Sequence, residues 1–575
     1  MTPQSIYLIT TLFLVFASAI LGGLVAHKLK QPAIIGYIAS GVLFGNLFVR
    51  GIDHATISTI ADVGVTLLLF TIGLEFSFHR LRRVMGSVVW AACAQLLLVI
   101  VVFFGLYSFF GFGFLPSLFI GVAAGLSSTV IIVKVLSERG EMETIPGELS
   151  TAWSVIQDLA VIPVMILLPT LVVVTRSPVV TFWGVVGALA LSIGKSIISI
   201  AIVIYLGRKG IPRLLTLIAG VNNREIFLLF TIGIVFLSAL ITYSFGLSAA
   251  LGAFIAGLLL SETSQNHAIF SEIRPLRDIF AVVFFVSLGM VLPAASVLRL
   301  LPTLLVGSVA IMLFKWIIVF GFCRYMGNHR KTAFLVAVSL MQMSEFGFII
   351  AREGLDLQVF NNEGYVFMVA LTFITMFFGT TLLSFGHNLY YWFYKSIGKV
   401  LPKVFDTVKE LPSPEELTIR DHIVICGYGR VGKYIGRALE MANIPYIVVD
   451  YNHTTIADLR SKGVAVLYGD PADLGVLDYA QVEYAKAVVI AIPDRHTQEM
   501  IIANCLTLNK HIHIICRTHH EEDQPRLKSL GVTTIVQPEF EAALSVINKL
   551  YTQFKVTDED SAGKISRLKI EHGLG

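Results

Sequence analysis

Apolar runs of roughly 17–25 residues follow one another from Ile6 to about residue 394, each the length that a bilayer's hydrocarbon core requires of a helix. About thirteen can be counted, near 5–26, 33–49, 59–77, 84–108, 114–136, 150–174, 182–206, 225–243, 246–261, 277–296, 300–323, 332–351 and 363–394. Lipid offers no partner to a free N–H or C=O, so segments this long and this apolar are helices, which satisfy their own backbone. With 55% hydrophobic and 14% charged residues, the chain lies outside the soluble range. A net charge of +4 is too small to suggest nucleic-acid binding. The first run is too long for a cleavable signal. Five scattered cysteines carry neither metal spacing nor a disulfide framework, which suits a reducing cytosol or burial within helices.

The composition changes near residue 400. Residues 1–395 read as a membrane domain, 396–420 (charged and Pro-rich) as a linker, 421–555 as a soluble α/β unit, and 556–575 as a tail. Within the tail, KISRLKIEHGLG reads as a strand. It would open a second lobe of the α/β unit, whether the chain is cut short there or ends naturally. Lys and Arg crowd one set of inter-span loops (Lys28, Lys30, Arg80, Arg139, Arg208, Arg277, Lys331), whereas the other set holds little beyond Arg50, Arg176, Arg299 and Arg352. By the positive-inside rule the rich set is cytoplasmic. An odd number of spans then places the N-terminus outside and the α/β unit in the cytosol.

The α/β unit opens with HIVICGYGRVGKYIGRAL: a strand, then Gly427-Tyr428-Gly429-Arg430-Val431-Gly432, then a helix. The next strand, YIVVD, ends on Asp450, about twenty residues further on. That is the dinucleotide-binding arrangement, in which glycines admit a phosphate to a helix N-terminus and the acid receives ribose hydroxyls. No second soluble domain offers catalytic residues, so the ligand reads as a signal and the protein as no enzyme.

An ionisable residue within a span is a functional candidate by default, since burying it costs several kcal/mol. Asp158 lies mid-span beside Gln157, in STAWSVIQDLAVIPVMILLP, and Lys315 lies mid-span in AIMLFKWIIVF. An Asp158–Lys315 pair is the simplest way to keep both charged. At contact the attraction is about 4 kcal/mol at an effective dielectric of 20. Desolvation can cancel that gain, so a site that loses and regains a proton explains the pair better than stability does. Lys195 reads as a structural or snorkelling residue, Glu75 as a network residue near the cytoplasmic face, and Asp62 lies near the opposite end of its span. Two spans look interrupted: one at Gly125-Leu-Ser127-Ser128-Thr129, the other at Gln342, Ser344, Glu345 and Gly347. Broken helices of this kind, one in each half of a repeat, surround the midplane site of secondary transporters.

On LLLFTIGLEF (67–76), GLSSTV (125–130), the Gln157-Asp158 pair, Lys315 and SEFGF (344–348), the chain resembles the Kef-type branch of the monovalent cation:proton antiporter-2 family. Its tail resembles the RCK/TrkA-N domain. The resemblance implies an α-helical membrane protein of about 13 helices, with inverted repeats and two broken crossing helices, followed by a cytosolic Rossmann-like lobe. It implies a homodimer in the lipid of a bacterial inner membrane, with a periplasmic N-terminus. The implied ion and proton site is Gln157, Asp158, Lys315, Ser127, Ser128, Thr129, Gln342, Ser344 and Glu345. The implied nucleotide site is Gly427 to Gly432 with Asp450, Asp470, Ala491 and Arg517, holding AMP or NAD(H) as a regulatory ligand. A Gln-Asp pair resembles the K+/H+ members, whereas two adjacent acids resemble the Na+ exchangers; an RCK-gated channel would need a filter of the TVGYG type, which is absent. HAIFSEIRP (267–275) resembles the family's regulatory loop, but Arg274 stands where the family has an acid, which puts glutathione regulation in question.

Overall fold

A computed structural model describes residues 3–29, 31–47, 54–75, 87–142, 144–176, 223–245, 249–261, 266–290, 292–397, 419–518, 521–554 and 556–571, together with isolated positions between 187 and 218 and Thr263. The expected span at 182–206 and the expected linker at 396–420 lie largely outside the described residues. The chain divides into two compact units. The first comprises Met1–Ile132, Leu149–Phe322 and Ala337–Ser384; the second comprises Val133–Glu148, Cys323–Val336 and Phe385–Gly575. The boundary therefore does not follow the expected division at residue 395.

The helices of the membrane part are α1 (Pro3–Lys28), α2 (Ala33–Leu47), α3 (His54–Glu75), α4 (Ser87–Phe109), α5 (Phe114–Gly125), α6 (Thr129–Glu138) and α7 (Ile145–Thr175). They continue with α8 (Arg224–Ser244), α9 (Ala249–Ser261), α10 (Asn266–Met290), α11 (Ala294–Tyr325), α12 (Arg330–Leu340), α13 (Phe346–Asp356), α14 (Asn362–Ser384) and α15 (Gly386–Ile397). Among the described residues, seven spans are long and apolar enough to cross a bilayer, counting α5 and α6 as one. The run expected at 277–296 begins eleven residues early, at Asn266, because the polar HAIFSEIRP segment is itself helical. The last run, 363–394, divides at Phe385 into α14 and α15.

Packing in the first unit is inverted relative to a soluble protein. Phe13, Leu24, Leu97, Val101, Leu240 and Val306 are exposed, whereas Thr11, Gln95, Ser127, Gln157 and Lys315 are buried. Polar groups face inward because lipid cannot hydrate them. Small residues set the helix contacts: a Cβ on Gly36 would lie 2.1 Å from the Gly22 carbonyl oxygen, and one on Gly257 would lie 2.0 Å from that of Phe70.

The second unit is built on β1 (Ile423–Cys426), β2 (Tyr446–Asp450), β3 (Ala465–Tyr468), β4 (Ala487–Ile490), β5 (His513–Arg517) and β6 (Thr534–Val536). All five pairings are parallel, in the order β3-β2-β1-β4-β5-β6. This is the doubly wound nucleotide-binding topology, with its switch point between β1 and β4. Val424, Ile447, Leu467, Val488 and Ile514 are fully buried, as strands covered on both faces must be. Helix α16 (Arg430–Met441) follows β1, and α17 (Arg495–Leu508) follows β4. The tail KISRLKIEHGLG is not a strand: Asp558–Glu571 is helical. Asp560, Lys564, Arg567 and Glu571 recur at helical spacing, alongside the strand-like alternation of Arg567, Lys569 and Glu571.

Candidate functional site

Both interrupted spans break where the small and polar residues stand. Helix α5 ends at Gly125, Leu126 is extended (φ −86°, ψ 150°), and α6 restarts at Thr129. Helix α12 ends at Leu340, and α13 restarts at Phe346 with Glu345 in the N-cap position. Each break exposes the carbonyls of one helix C-terminus and the N–H groups of one N-terminus. Ser127 Oγ joins the two breaks by donating to the Leu340 carbonyl at 2.7 Å.

Lys315 lies between the C-terminal ends. Its ammonium donates to the carbonyls of Leu126 and Gln342, both at 2.7 Å, and to Ser127 Oγ at 3.0 Å. Three protons meet three acceptors, and two of these are carbonyls at the negative ends of α5 and α12. The carboxylates take the N-terminal ends. Asp158 Oδ2 accepts from the hydroxyl of Thr129, the first residue of α6, at 2.6 Å. Glu345 stands at the N-cap position of α13, without a side-chain cap bond, and accepts from Ser344 Oγ at 3.2 Å. The expected Asp158–Lys315 ion pair therefore does not form. Pairing charges by sign overlooks the carbonyls that a broken helix exposes, and those carbonyls use up the lysine's donors.

Gln157, Asp158, Gln342, Ser344 and Glu345 are all buried. Asp158 Oδ1, Gln157 Oε1 and both amide atoms of Gln342 have no hydrogen-bond partner among the described residues. Unpartnered oxygens in an apolar interior are the atoms with which a dehydrated cation or a proton would pair. Ser128 Oγ accepts from the Ile131 N–H at 3.3 Å, a capping role. Lys195 and Asp62 are exposed, and the Glu75 side chain lies outside the described residues. In HAIFSEIRP, Arg274 lies 4.0 Å from Asp278 on the same helix.

In the second unit a cavity of about 550 Å³ opens at the C-terminal ends of β1, β2, β4 and β5. Gly427, Tyr428, Gly429, Arg430, Asp450, Ala491 and Arg517 all line it, and Lys433 adds a third cation. The glycines differ in role. Gly427 has φ +92°, open to glycine at no steric cost. A Cβ on Gly432 would lie 2.2 Å from the Gly427 carbonyl oxygen, whereas one on Gly429 would meet nothing within 4 Å. Asp450 accepts from the Tyr428 N–H at 2.6 Å and the Asn452 N–H at 2.8 Å, which ties the glycine loop to β2. Burial pushes its carboxyl up, against these N–H bonds and the Lys433 charge.

Val431, Gly432 and Asp470 do not line the cavity. Val431 is half-buried in the first turn of α16. Asp470 is engaged elsewhere: the buried Lys331 ammonium donates to Asp470 Oδ2 at 3.1 Å, to Tyr391 Oη at 2.6 Å and to Thr497 Oγ1 at 3.1 Å. Burial raises the Asp470 carboxyl, but Lys331 and the Ala472 N–H together hold it below the usual carboxylate range.

The far wall comes from residues that sequence reasoning missed. Ser137, Gly140, Glu141, Ile145 and Glu148 contribute to it, as does His387. The His387 ring nitrogens lie 3.2 Å from Asp494 Oδ2 and 3.3 Å from Glu141 Oε2. Arg139 reaches Glu141 at 2.8 Å and Asp494 at 3.3 Å. Glu141, His387 and Asp494 could in principle ligate a metal, with ligand atoms within 4.8 Å of one another, but Arg139 already compensates both carboxylates. In the sequence Arg139 and Lys331 count as loop charges, and nothing marks Asp494 and Asp470 as their partners, 355 and 139 positions away.

Residues 15–385 match the family of sodium/hydrogen exchangers, transmembrane, and residues 423–538 match the TrkA-N domain. The putative cation/proton antiporter YbaL of Escherichia coli is 29% identical over 95% of this chain and 97% of its own length. The putative K(+) efflux antiporter KefB of Alkalimonas amylolytica is 27% identical over 91% of this chain and 78% of its own. Among solved structures, the sodium proton antiporter MjNhaP1 from Methanocaldococcus jannaschii superposes with a TM-score of 0.51 at 17% identity, covering 67% of this chain and 98% of that one.

Proposed function

Because the chain belongs to the sodium/hydrogen exchanger family, in its Kef-type cation:proton antiporter branch, we propose that it exchanges potassium for protons and that a cytosolic nucleotide sets the rate. The observation that carries the ion half is Asp158: a buried carboxylate, one oxygen held by Thr129 and the other without a partner, beside the equally unpartnered Gln157 carbonyl. A proton or a dehydrated cation satisfies Oδ1, and the two exclude each other. Alternating access then carries K+ out and H+ in. Gln157 adds an oxygen without adding charge, which suits a large monovalent ion and one-for-one, electroneutral exchange. Lys315 holds the C-terminal ends of the broken helices and leaves the ion to the oxygens. The working unit is a homodimer in the inner membrane, N-terminus periplasmic, TrkA-N unit cytosolic.

Flux in proteoliposomes tests this reading. Asp158→Asn should abolish cation-driven proton movement in a folded protein, because the amide binds no proton at neutral pH. Normal exchange by this variant refutes the site. Gradients of K+, Na+, Rb+ and Li+ decide the ion.

The regulatory half rests on the cavity at the switch point, which Arg430, Lys433 and Arg517 line and where Gly429 leaves room for an anionic ligand. Its ligand is an adenine nucleotide, AMP or NAD(H). Binding energy alters transport only if the ligand favours one arrangement of the protein over another. The far wall suggests how: residues 137–148 join α6, which begins with Thr129, to α7, which carries Asp158. Calorimetry on the full chain should detect AMP or NAD(H) binding, weakened by Asp450→Ala through collapse of the glycine loop. No heat at millimolar nucleotide refutes the regulatory reading.

A further inference from the structure

Gln95 in α4 is an amide in the middle of an apolar helix, fully buried, and neither the motifs nor the proposed ion chemistry accounts for it. Its Nε2 donates to the Gly125 carbonyl at 3.2 Å, at the last residue of α5 before the break. Its Oε1 accepts from Trp153 Nε1 at 3.1 Å and also from the Gln157 amide nitrogen. All three partners belong to the first unit.

Hydrogen-bond chemistry determines which way each amide faces. An indole N–H can only donate, and a backbone carbonyl can only accept. Gln95 must therefore turn its oxygen to Trp153 and its NH2 to Gly125. Once Gln95 Oε1 faces α7, the group that Gln157 presents to it has to be a donor. The Gln157 NH2 is consumed there, and its carbonyl oxygen is the end left over. That oxygen is buried without a partner, as is the neighbouring Asp158 Oδ1. A free amide has no such preference; turned over, Gln157 would offer a cation its NH2, which repels it.

We propose that Gln95 is a positioning residue for cation recognition: anchored by Trp153 and Gly125, it orients the Gln157 amide so that a carbonyl oxygen, not an amide nitrogen, faces the cation held by Asp158. The inference rests on the proposed ion site. It adds that selectivity for a cation at residue 157 depends on a side chain one helix away, which touches no ion. It also ties the site to the break, since the same amide grips the end of α5.

Exchange kinetics in proteoliposomes test it, with Asp158→Asn as the control for the underlying site. Gln95→Leu removes both anchors. The apparent KM for K+ should rise about tenfold, the cost of roughly 1.4 kcal/mol of misoriented carbonyl, while the rate at saturating K+ changes little. Gln95→Glu in its protonated form repeats the pattern, its hydroxyl donating to Gly125 and its carbonyl accepting from Trp153 and Gln157. Because a carboxylate accepts from Trp153 and the Gln157 NH2 in either protonation state, Gln95→Glu should keep the Gln157 orientation and a KM near the wild-type value measured at the same pH. In a Gln157→Ala background, Gln95→Leu should raise KM no further, because the group it orients is gone. Additive KM effects in that double variant, or an unchanged KM in folded Gln95→Leu, overturn the proposal while Asp158→Asn remains inactive. Should Gln95→Leu fail to fold, Gln95→Glu decides alone at low pH, where it is protonated, and a KM raised there as far as that of Gln157→Ala overturns the proposal. Active Asp158→Asn, by contrast, refutes the ion site itself.

Discussion

Replacing Lys315 separates two roles for a buried cation. Its ammonium makes three hydrogen bonds, two of them at 2.7 Å to carbonyls at the C-terminal ends of α5 and α12. Lys315→Met fills the volume but strands both carbonyls, while the Ser127 hydroxyl keeps its bond to the Leu340 carbonyl. Leaving a buried neutral acceptor without its donor costs about 1–3 kcal/mol for each group. Lys315→Gln keeps two N–H donors, enough for the two carbonyls, and loses the charge at two helix ends, each worth up to about 2 kcal/mol. We expect a loss of about 2–3 kcal/mol for Gln and about 2–6 kcal/mol for Met, read by thermal unfolding in detergent alongside exchange measured across pH. Residual exchange should keep its pH optimum, because Asp158 is not the lysine's partner. Unchanged stability of Lys315→Met with a displaced optimum would refute this reasoning and restore the lysine as a tuner of the aspartate.

Three further outcomes follow from named groups. Burial, then the charges of Lys331, Arg324 and Arg330, hold the His329 imidazole down at about 4 against the pull of Asp470. The unfolded chain takes up that proton near pH 6.5, so its share of stability is complete above 6.5 and is lost as pH falls towards 4, by about 3 kcal/mol. Calorimetric unfolding of His329→Gln should lack that loss, and a profile parallel to wild type would contradict it. Gly429→Val should block nucleotide binding without destabilising the fold, since a Cβ there meets nothing within 4 Å of protein; an unaltered calorimetric isotherm would place the ligand elsewhere. Gln157→Asp should make exchange carry net charge or change its ion preference, and currents on supported membranes would show it; an electroneutral cycle with unchanged selectivity would mean that residue 157 does not set stoichiometry.

What the amino-acid order determined alone is what short-range physics controls. Apolar run length specifies membrane helices, because lipid cannot satisfy a backbone. Gly427-x-Gly429-x-x-Gly432 with Asp450 specifies the β1–α16 turn, because the residues that meet there lie within about twenty-five positions. Small and polar residues within a span marked both helix breaks for the same local reason. The criterion that singled out Asp158, a polar group in an apolar run, also applied to Gln95 in VVWAACAQLLLVI, so that residue was legible in principle. Partners were not. Lys315 and Asp158 are the obvious pair by sign, yet the lysine bonds Leu126, 189 positions away, and Gln342, 27 positions away. Asp470 resembles a nucleotide ligand and instead meets Lys331 across 139 positions. A break exposes carbonyls that compete for cations as strongly as carboxylates do, and only the packing of α5, α11 and α12 around one point decided which acceptor reached the ammonium first.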